Sequence, residues 1–378
     1  MTGVLPFAFR LTPLDSGLGT RGKRIAPPPS PLPATRTFAE RGTRIGQNSQ
    51  QMRVGVVGVG GMGNVHARKY ALMPDVELHA YDRNPDRLDV YCAQFGARPA
   101  QSLPELVATV DAVDVCTPTD AHRDVAMEAI KGGKAVLVEK PMARTVEECA
   151  ALIEAAAKAG VALMPGQVVG FFPVFEGGHR AVRDGRVGTP AAVRTRRGGK
   201  APKGSDMWFQ DHTRSGGLLL DLAVHDFDWM LWTFGPVRSV YSRSVRLGHP
   251  VEGAEYEGDY ALTTLAFESG AVGHVETTWM DPAGFRVTFE VCGSAGMIEY
   301  DSRNVATLRI HDAAGSRQES NMSPTDDPFY RELRLFVDAV VSGGPMPVAP
   351  EDGMRAVAVS RAAIESAKSG MAVSPSSV

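Results

Sequence analysis

The sequence contains little cysteine and no long apolar run. Only four of its 378 residues are cysteine, and no two of them form a Cys-x-x-Cys pair. A disulfide framework or a structural zinc site is therefore not expected, and a reducing cytosol is the compartment that fits best. The longest nearly apolar run, residues 160–175, is interrupted by Pro165, Gly166 and Gln167, so no membrane span is predicted.

A strong excess of charge is also missing. The chain has 40 Lys and Arg against 43 Asp and Glu, and its net charge of −3 indicates no nucleic-acid partner. Hydrophobic residues make up 43% and charged residues 22%, as is typical of a globular protein. The length allows two domains with substantial cores.

The first 51 residues differ from the rest of the chain. They hold seven Lys and Arg against two Asp and Glu, include the run APPPSPLP and show no apolar periodicity, so we expect a disordered leader. Their basic, acid-poor composition is similar to that of an organelle transit peptide, but no amphipathic helix is obvious in them. An alternative interpretation is that Met52 is the natural start and that the leader is a translated upstream region.

From Met52 onward, strand-like and helix-like segments alternate. Short β-branched runs such as RVGVVGV and KAVLVE are each followed by a helical pattern. This alternation predicts an α/β fold with βαβ units, namely a Rossmann doubly wound parallel sheet over residues 52–172 with its ligand at the carboxyl ends of the strands.

After residue 172 the strand-like runs follow one another directly. They predict a C-terminal α+β domain, residues 173–378, with a large open, mostly antiparallel sheet. Ser269–Gly270 predicts a hairpin turn, and residues 218–234 predict a helix laid on the sheet. The end of the chain predicts two amphipathic helices.

Residues 58–63 read GVGGMG and match Gly-x-Gly-x-x-Gly between a predicted strand and a predicted helix. Glycines permit a tight turn there and let the backbone approach a pyrophosphate, which the helix N-terminus binds. The motif predicts a dinucleotide site that includes Gly58, Gly60, Gly61, Met62 and Gly63.

Asp82 ends the next predicted strand, nineteen residues past Gly63. A carboxylate at about this distance is expected to bind the ribose 2′-hydroxyl of the cofactor. Asp82 favours NAD, because a carboxylate repels a 2′-phosphate. Arg83 follows at once and could accommodate that phosphate, so NADP stays open.

Glu139, Lys140 and Pro141 stand at the end of the strand KAVLVE, on the edge where ligands bind. A lysine beside a cationic nicotinamide would have a lowered pKa and could exchange a proton with a substrate hydroxyl. Taken alone, however, the segment is better interpreted as a surface lysine at a strand end.

Asp221, His225, Asp228 and Trp232 lie in one of the most apolar parts of the chain. On one helix their spacings of four, three and four place them on a single stripe, which needs buried partners or a wet cavity. With an ordinary pKa of about 6.5, His225 is the candidate proton carrier. A core histidine paired with Asp221 is the alternative, and no metal is expected, because no second His or Cys lies at ligand spacing.

The succession of these motifs resembles the glucose–fructose oxidoreductase, inositol dehydrogenase and MocA (Gfo/Idh/MocA) family. The similar segments are GVVGVGGMG, YDRNPDR, CTPTDAH, VLVEKPMA, GGLLLDLAVHDFD and GSAGMIEYD. The resemblance implies a Rossmann domain followed by an open-sheet domain, a nicotinamide cofactor, and oxidation or reduction of a carbon in a sugar or cyclic polyol.

The resemblance also implies roles for individual residues. Lys140 matches the family's lysine near the hydride donor and acceptor, and its bond to Pro141 is expected to be cis. Asp221 and His225 match the aspartate and histidine of the inositol dehydrogenase type. We expect His225 to take the proton of the substrate hydroxyl, Lys140 to polarise the same oxygen, and Asp221 to bind a neighbouring hydroxyl or orient the other two. The cofactor site is expected to include Thr117, Pro118, His122 and Glu139.

The segment around Gln167 departs from the family pattern. Relatives often show His…Arg-Phe there, whereas this chain has Gln167 and Gly170, which leaves the substrate open. Residues 204–217 supply further pocket candidates, although a solvated loop fits them equally well. The predicted substrate residues are Gln167, Trp208, Asp211 and Arg214, with His212 as a further candidate. Alternation predicts that Glu276 and Trp279 lie on opposite faces of the sheet.

Together these features predict a cytoplasmic NAD(P)-dependent dehydrogenase of a cyclitol or sugar. A glycosidase that uses NAD transiently is one alternative, and a non-catalytic dinucleotide-binding sensor is another. The combination of Lys140, Asp221 and His225 argues against the sensor, which needs no proton relay. An open sheet exposes one face, so a homo-oligomer is expected.

Overall fold

A computed structural model describes residues 51–202, 204–246, 258–281, 283–304, 308–312, 315–319 and 327–377. The predictions for residues 1–50 lie outside these ranges. Among the helices of the described ranges, none combines the length and the apolar character that crossing a membrane requires.

Strands and helices alternate from residue 52 to residue 166. The strands are β1 (Met52–Val57), β2 (Val76–Tyr81), β3 (Arg98–Pro99), β4 (Ala112–Val115), β5 (Ala135–Glu139) and β6 (Leu163–Gly166). The helices between them are α1 (Gly61–Tyr70), α2 (Pro85–Phe95), α3 (Leu103–Thr109), α4 (Thr119–Lys131) and α5 (Val146–Ala159). All strands pair in parallel in the order β3-β2-β1-β4-β5-β6, which confirms the predicted doubly wound topology.

Strands β4 and β5 each lie between two other strands of the first sheet. Every residue of both strands is buried, as expected where helices cover both faces of a parallel sheet. Helix α5, which follows β5, begins where Thr145 accepts the amide of Glu148 and ends at Gly160, whose φ is 67°. The carboxyl ends of β1, β4 and β5 open on one edge, and the glycine motif and Lys140 lie there.

The second part of the chain holds the second sheet together with further helices. Its elements are α6 (Pro173–Arg183), β7 (Pro190–Gly198), α7 (His212–Ser215), α8 (Gly217–Asp221), α9 (Val224–Phe234), β8 (Val237–Val245), β9 (Tyr260–Phe267), β10 (Val272–Thr278), β11 (Arg286–Gly293), β12 (Gly296–Asp301), β13 (Leu308–Asp312) and β14 (Gly315–Glu319). The strand order is β14-β13-β12-β11-β7-β10-β9-β8. Only the pairing of β7 with β10 is parallel, so the sheet is mostly antiparallel, as predicted.

The two faces of this sheet differ. Along β9 the side chains of Ala261, Thr263, Leu265 and Phe267 are buried, whereas Leu262 between them is 47% exposed. Helices α8 and α9 contact the inner face. The predicted hairpin joins β9 to β10 through Gly270, whose φ is 91°.

The two predicted amphipathic helices are α10 (Pro328–Ser342) and α11 (Pro350–Ser369). Helix α10 buries Leu333, Phe336 and Val337 in the same core as Val54 and Tyr70 of the first sheet layer. Helix α11 packs on α9 and β8 and also on α5 and β6. The C-terminal helices thus contribute to the core around the first sheet, and the boundary at residue 172 stays a prediction.

Candidate active site

The turn between β1 and α1 requires glycine at two positions. Gly58 has a φ of 95°, and a Cβ there would lie 2.7 Å from the carbonyl oxygen of Cys116. A Cβ on Gly63 would lie 2.1 Å from the carbonyl oxygen of Gly58. Close backbone packing therefore excludes a side chain at both positions. A dinucleotide motif needs this tight turn and this close contact between helix and strand.

The other glycines of the motif face open space. A Cβ on Gly60 or Gly61 would meet no described heavy atom within 4 Å. Helix α1 begins at Gly61, and no side chain of the described residues caps it. The amides of its first turn, which includes Met62, are therefore oriented for an anionic ligand, and this fits the pyrophosphate of a dinucleotide.

A cavity of about 650 Å³ opens beside the motif, within the size range of small-molecule sites. At its edge the Asp82 carboxylate accepts the amides of Val59 at 2.9 Å and Asn84 at 2.8 Å, and these bonds hold it at the end of β2. The cavity wall includes the predicted cofactor residues Gly58, Asp82, Arg83, Thr117 and Pro118.

His122 joins two of the predicted cofactor segments. Its Nδ1 lies 2.9 Å from the carbonyl oxygen of Pro141, and its Nε2 lies 2.9 Å from that of Thr117. The Lys140–Pro141 bond is cis, as the resemblance implied. Thr117 lines the cavity, and its buried hydroxyl has no hydrogen-bond partner among the described residues.

Lys140 reaches from the first sheet to the helices of the second. Its Nζ donates to the carbonyl oxygen of Asp221 at 2.7 Å and to Oδ1 of the same residue at 3.1 Å. In a continuous helix that carbonyl would accept the amide of His225. The prediction of one helix over residues 218–234 is wrong, because α8 ends at Asp221 and α9 begins at Val224. The lysine takes the carbonyl that the break exposes.

His225 lies in the first turn of α9 and is partly exposed. Its Nδ1 is buried and has no hydrogen-bond partner among the described residues. Burial, followed by the charges of Lys140 and Arg197, lowers the pKa of His225 well below its ordinary value of 6.5. The imidazole is therefore neutral at pH 7, which is the form that a general base needs.

The other members of the predicted stripe have different surroundings. Asp228 is only 1% exposed. Trp232 stacks on His179 of α6, with ring centroids 3.7 Å apart. Of the four stripe residues, Asp221 and His225 are thus the two that the structure relates directly to Lys140.

A buried ion pair beside His225 was not predicted from the sequence. Arg197 of β7 donates from Nε to Oδ2 of Asp226 at 2.7 Å, and their side chains are 7% and 0% exposed. A signal was present, since Arg197 continues the inward positions Val193 and Thr195 of the strand, where a charge needs a buried partner. His66 and Asp114, treated below, were missed as well.

Gln167 lies just beyond β6 and is fully buried. Neither atom of its side-chain amide has a hydrogen-bond partner among the described residues. Since Gly166 pairs with Glu139 in the sheet, Gln167 comes next to the strand end that carries Lys140. A buried amide without a partner is costly, which makes Gln167 a candidate to bind a polar group of a ligand.

The remaining predicted substrate residues lie in and before α7. Trp208 stacks on the ring of its neighbour with centroids 3.8 Å apart. Asp211 caps α7 by accepting the amide of Thr213 at 3.0 Å. Arg214 lines the cavity beside the glycine motif and donates to Oδ2 of Asp120 at 3.0 Å. The structure thus places Arg214 with the cofactor residues.

Glu276 and Trp279 lie on different sides of the second sheet, as predicted. Glu276 accepts from Arg196 at 3.0 Å on the outer face. Trp279 is 3% exposed, and its ring centroid lies 6.4 Å from that of the buried His212.

Two family models match the chain. The model described as an oxidoreductase family with an NAD-binding Rossmann fold covers residues 52–167. The model of the GFO/IDH/MocA C-terminal domain covers residues 178–299.

The similarity to several known proteins extends over almost the whole length of each of them. Myo-inositol 2-dehydrogenase of Thermotoga maritima is 32% identical over 325 residues, which cover 83% of this chain and 96% of that protein. The scyllo-inositol 2-dehydrogenase (NAD(+)) of Bacillus subtilis is 29% identical over 334 residues, covering 85% and 96%. Among solved structures, GenD2 from gentamicin A biosynthesis in complex with NAD is similar with a TM-score of 0.78 and 29% identity, covering 89% of this chain and 99% of that one.

Proposed function

The chain belongs to the GFO/IDH/MocA oxidoreductase family, and on this premise we propose that it oxidises one secondary alcohol of a cyclitol or sugar with Lys140, Asp221 and His225. It is an NAD-dependent dehydrogenase acting on CH–OH groups. The observation that carries the proposal for the site is the bond from Lys140 Nζ to Asp221, made next to a histidine that is neutral at pH 7.

The proposed chemistry divides between a base and an electrostatic partner. NAD, when bound, supplies the hydride acceptor. His225 takes the proton of the substrate hydroxyl, and its lowered pKa keeps it ready to accept that proton. Lys140 polarises the same oxygen, and Asp221 orients Lys140 through its carboxylate and carbonyl.

We assign the cofactor to the residues around the glycine motif. The first turn of α1 would bind the pyrophosphate, and Asp82 would accept a ribose hydroxyl. The carboxylate of Asp82 favours NAD over NADP even though Arg83 lies beside it. The nicotinamide end would lie against Thr117, Pro118, His122 and Glu139.

Arg214 is reassigned from the substrate to the cofactor in this proposal. It lines the cavity together with Asp82 and Thr117, and its Nε is held by Asp120 in the first turn of α4. Arg144 supports the same segment by donating to the carbonyl oxygen of Thr213 at 2.7 Å. A guanidinium held in this way would bind an oxygen of the dinucleotide.

The substrate contacts are proposed on a smaller set of residues. Gln167 would bind a hydroxyl through its amide, which is why its lack of a partner is significant. Trp208 offers a ring face for stacking, and Asp211 offers the carboxylate oxygen that is not engaged by the cap. The names of the relatives suggest a ring that bears several hydroxyls.

Self-association through the outer face of the second sheet is part of the proposal. On neighbouring strands of this face, Tyr241 is 39%, Leu262 47% and Val272 38% exposed, and a second copy would cover these apolar side chains. Light scattering of a Leu262→Glu variant would test it. We also propose the cytosol as the compartment, since all four cysteines are free.

The decisive experiment measures reduced-nicotinamide absorbance with NAD or NADP and a panel of inositols, aldoses and amino-sugars. We expect a rise with NAD and one class of compound, and its loss in a Lys140→Met variant. If glycosides added to the same assay are cleaved with no net NADH, the glycosidase that uses NAD transiently replaces the dehydrogenase. Full turnover of the Lys140→Met protein would show that the assigned site is wrong.

A further inference from the structure

A buried cluster of three titratable side chains, His66, Asp114 and Glu139, lies below the turn that carries Lys140. His66 of α1 is fully buried, with Nδ1 2.7 Å from Oδ2 of Asp114 on β4. On its other side, Nε2 makes an ion-pair contact of 3.2 Å with Oε1 of Glu139 at the end of β5. An imidazole thus bridges two carboxylates from neighbouring strands. Cys116 adds a thiol 3.4 Å from Nδ1.

The groups of this buried cluster shift one another's pKa values. Burial alone would lower the pKa of His66, but Asp114 and Cys116 outweigh it and raise that pKa well above its ordinary value. Burial would raise the pKa of Glu139, yet the contact with His66 lowers it. The ligand atoms of His66, Asp114 and Cys116 lie within 4.8 Å of one another, but Nδ1 of His66 is already hydrogen-bonded to Oδ2 of Asp114 at 2.7 Å.

The contacts of this cluster continue to the active site through the second oxygen of Glu139. Oε2 accepts the amide of Lys140 at 2.9 Å. At the other end of the same residue, Nζ of Lys140 donates to Asp221. Lys140 is therefore held at its backbone by Glu139 and at its tip by Asp221, so the position of Glu139 sets the origin from which the lysine side chain extends.

We propose that His66 is a positioning residue for Lys140, because its imidazole ring, anchored by Asp114, holds Glu139 against the lysine amide. His66 lies on the helix whose N-terminus is assigned to the pyrophosphate, so the same helix positions both the cofactor and the lysine. The inference rests on the proposed role of Lys140. A displacement of about 1 Å at a reacting group typically costs about 10²-fold in rate.

Two substitutions at His66 separate its contacts. The amide nitrogen of asparagine takes the place of Nδ1, and that of glutamine takes the place of Nε2. His66→Asn retains a donor for Asp114 and loses the contact with Glu139, whereas His66→Gln retains a donor for Glu139. Glu139→Gln is a third variant that keeps the shape and an acceptor for the Lys140 amide if either His66 variant fails to fold.

The matched control is His79→Asn. His79 of β2 is 6% exposed, and its Nε2 lies 2.9 Å from Oε1 of Glu77. It is thus a second largely buried histidine paired with a carboxylate in the same sheet, on a strand that does not carry Lys140. We expect its substitution to leave turnover and the exchange of residues 136–144 unchanged.

The measurements are hydrogen exchange of a peptide covering residues 136–144, the dissociation constant for NADH, and kcat against KM. For His66→Asn we expect about tenfold faster exchange in this peptide and a kcat about 10²-fold lower, with a much smaller change in the NADH dissociation constant. His66→Gln should recover part of both losses, and Glu139→Gln should fall between His66→Asn and the wild type.

The outcomes separate this inference from the proposed function. Unchanged exchange and turnover in His66→Asn, with Lys140→Met inactive, would overturn the positioning role and leave the dehydrogenase site standing. Equal losses in His66→Asn and His66→Gln would also overturn it, because then only the fold is damaged. Full activity of Lys140→Met would instead remove the proposed site, while the exchange data would still report whether His66 holds the segment.

Discussion

Two histidines, one in each sheet layer, have opposite electrostatic surroundings. His66 lies between two carboxylates, and Asp114 together with Cys116 raises its pKa well above the ordinary value against the effect of burial. His225 lies among apolar residues near the cations Lys140 and Arg197, and burial and both charges lower its pKa. The surroundings of His66 favour its charged form, and those of His225 favour its neutral form.

The difference shows how one residue type is given two tasks. A charged imidazole between carboxylates is held from both sides, which suits a residue that positions others. A neutral imidazole has a ring nitrogen that can take up a proton, which suits catalysis. Lys140 connects the two regions, since its backbone is bound to Glu139 and its tip to Asp221.

The largest effect should follow from removing the base. In His225→Asn we expect kcat to fall by about 10²–10⁴-fold, because the substrate proton loses its acceptor. NADH binding should be nearly unchanged, since no cofactor residue is altered. Steady-state kinetics with the substrate found in the panel would check this. Retained turnover would make His225 a structural histidine and end the contrast with His66.

Breaking the buried pair beside His225 should mainly affect stability. Asp226→Ala leaves Arg197 buried without its carboxylate, which typically costs about 3–5 kcal/mol. Thermal unfolding would measure the loss. As a control, Asp111→Ala removes the exposed partner of Arg53, and exposed pairs contribute little. Equal midpoints for the two variants would contradict the importance given to the buried pair.

A third prediction concerns the proposed contact between Arg214 and the cofactor. We expect Arg214→Ala to weaken NADH binding about tenfold, since it removes one charge-assisted contact. NADH fluorescence titration and the dissociation rate would measure the effect. Arg123→Ala is the matched control. It removes an exposed arginine that pairs with Asp124 of α4, the helix that also carries Asp120, the partner of Arg214. Similar NADH constants for both variants would return Arg214 to the substrate loop.

The smallest effects should appear in the pH dependence of stability. The pKa of His225 falls on folding, so its contribution is present above pH 6.5 and is lost as the pH falls through the lowered pKa. The pKa of His66 rises on folding, so its contribution is present below pH 6.5 and is lost as the pH rises through the raised pKa.

The two histidine variants should therefore flatten opposite limbs of the stability profile. His225→Asn should weaken the acid dependence and His66→Gln the alkaline dependence, each by at most about 1.4 kcal/mol per pH unit. Calorimetric midpoints over a pH series would measure both. If the two variants altered the same limb, one of the assigned charge states would be wrong.

Local pattern was sufficient for most of the fold. Alternating strand-like and helix-like runs predicted the parallel sheet, and inward–outward alternation predicted the second sheet, because these periods arise from neighbouring residues along the chain. The glycine motif was equally readable, since Gly58 and Gly63 are demanded by backbone geometry within one turn. Lys140, Asp221 and His225 as a set came from the resemblance to a family.

What could not be read locally is which distant groups meet. The break between α8 and α9 coincides with the bond from Lys140, 81 residues away, to the Asp221 carbonyl, whereas apolar periodicity alone favoured one helix. The pKa shifts of the two histidines depend on Asp114, Lys140 and Arg197, which lie far from them in the sequence. Periodicity is a property of neighbours in sequence, whereas a pKa and a free carbonyl are set by whatever the folded chain brings within a few ångströms.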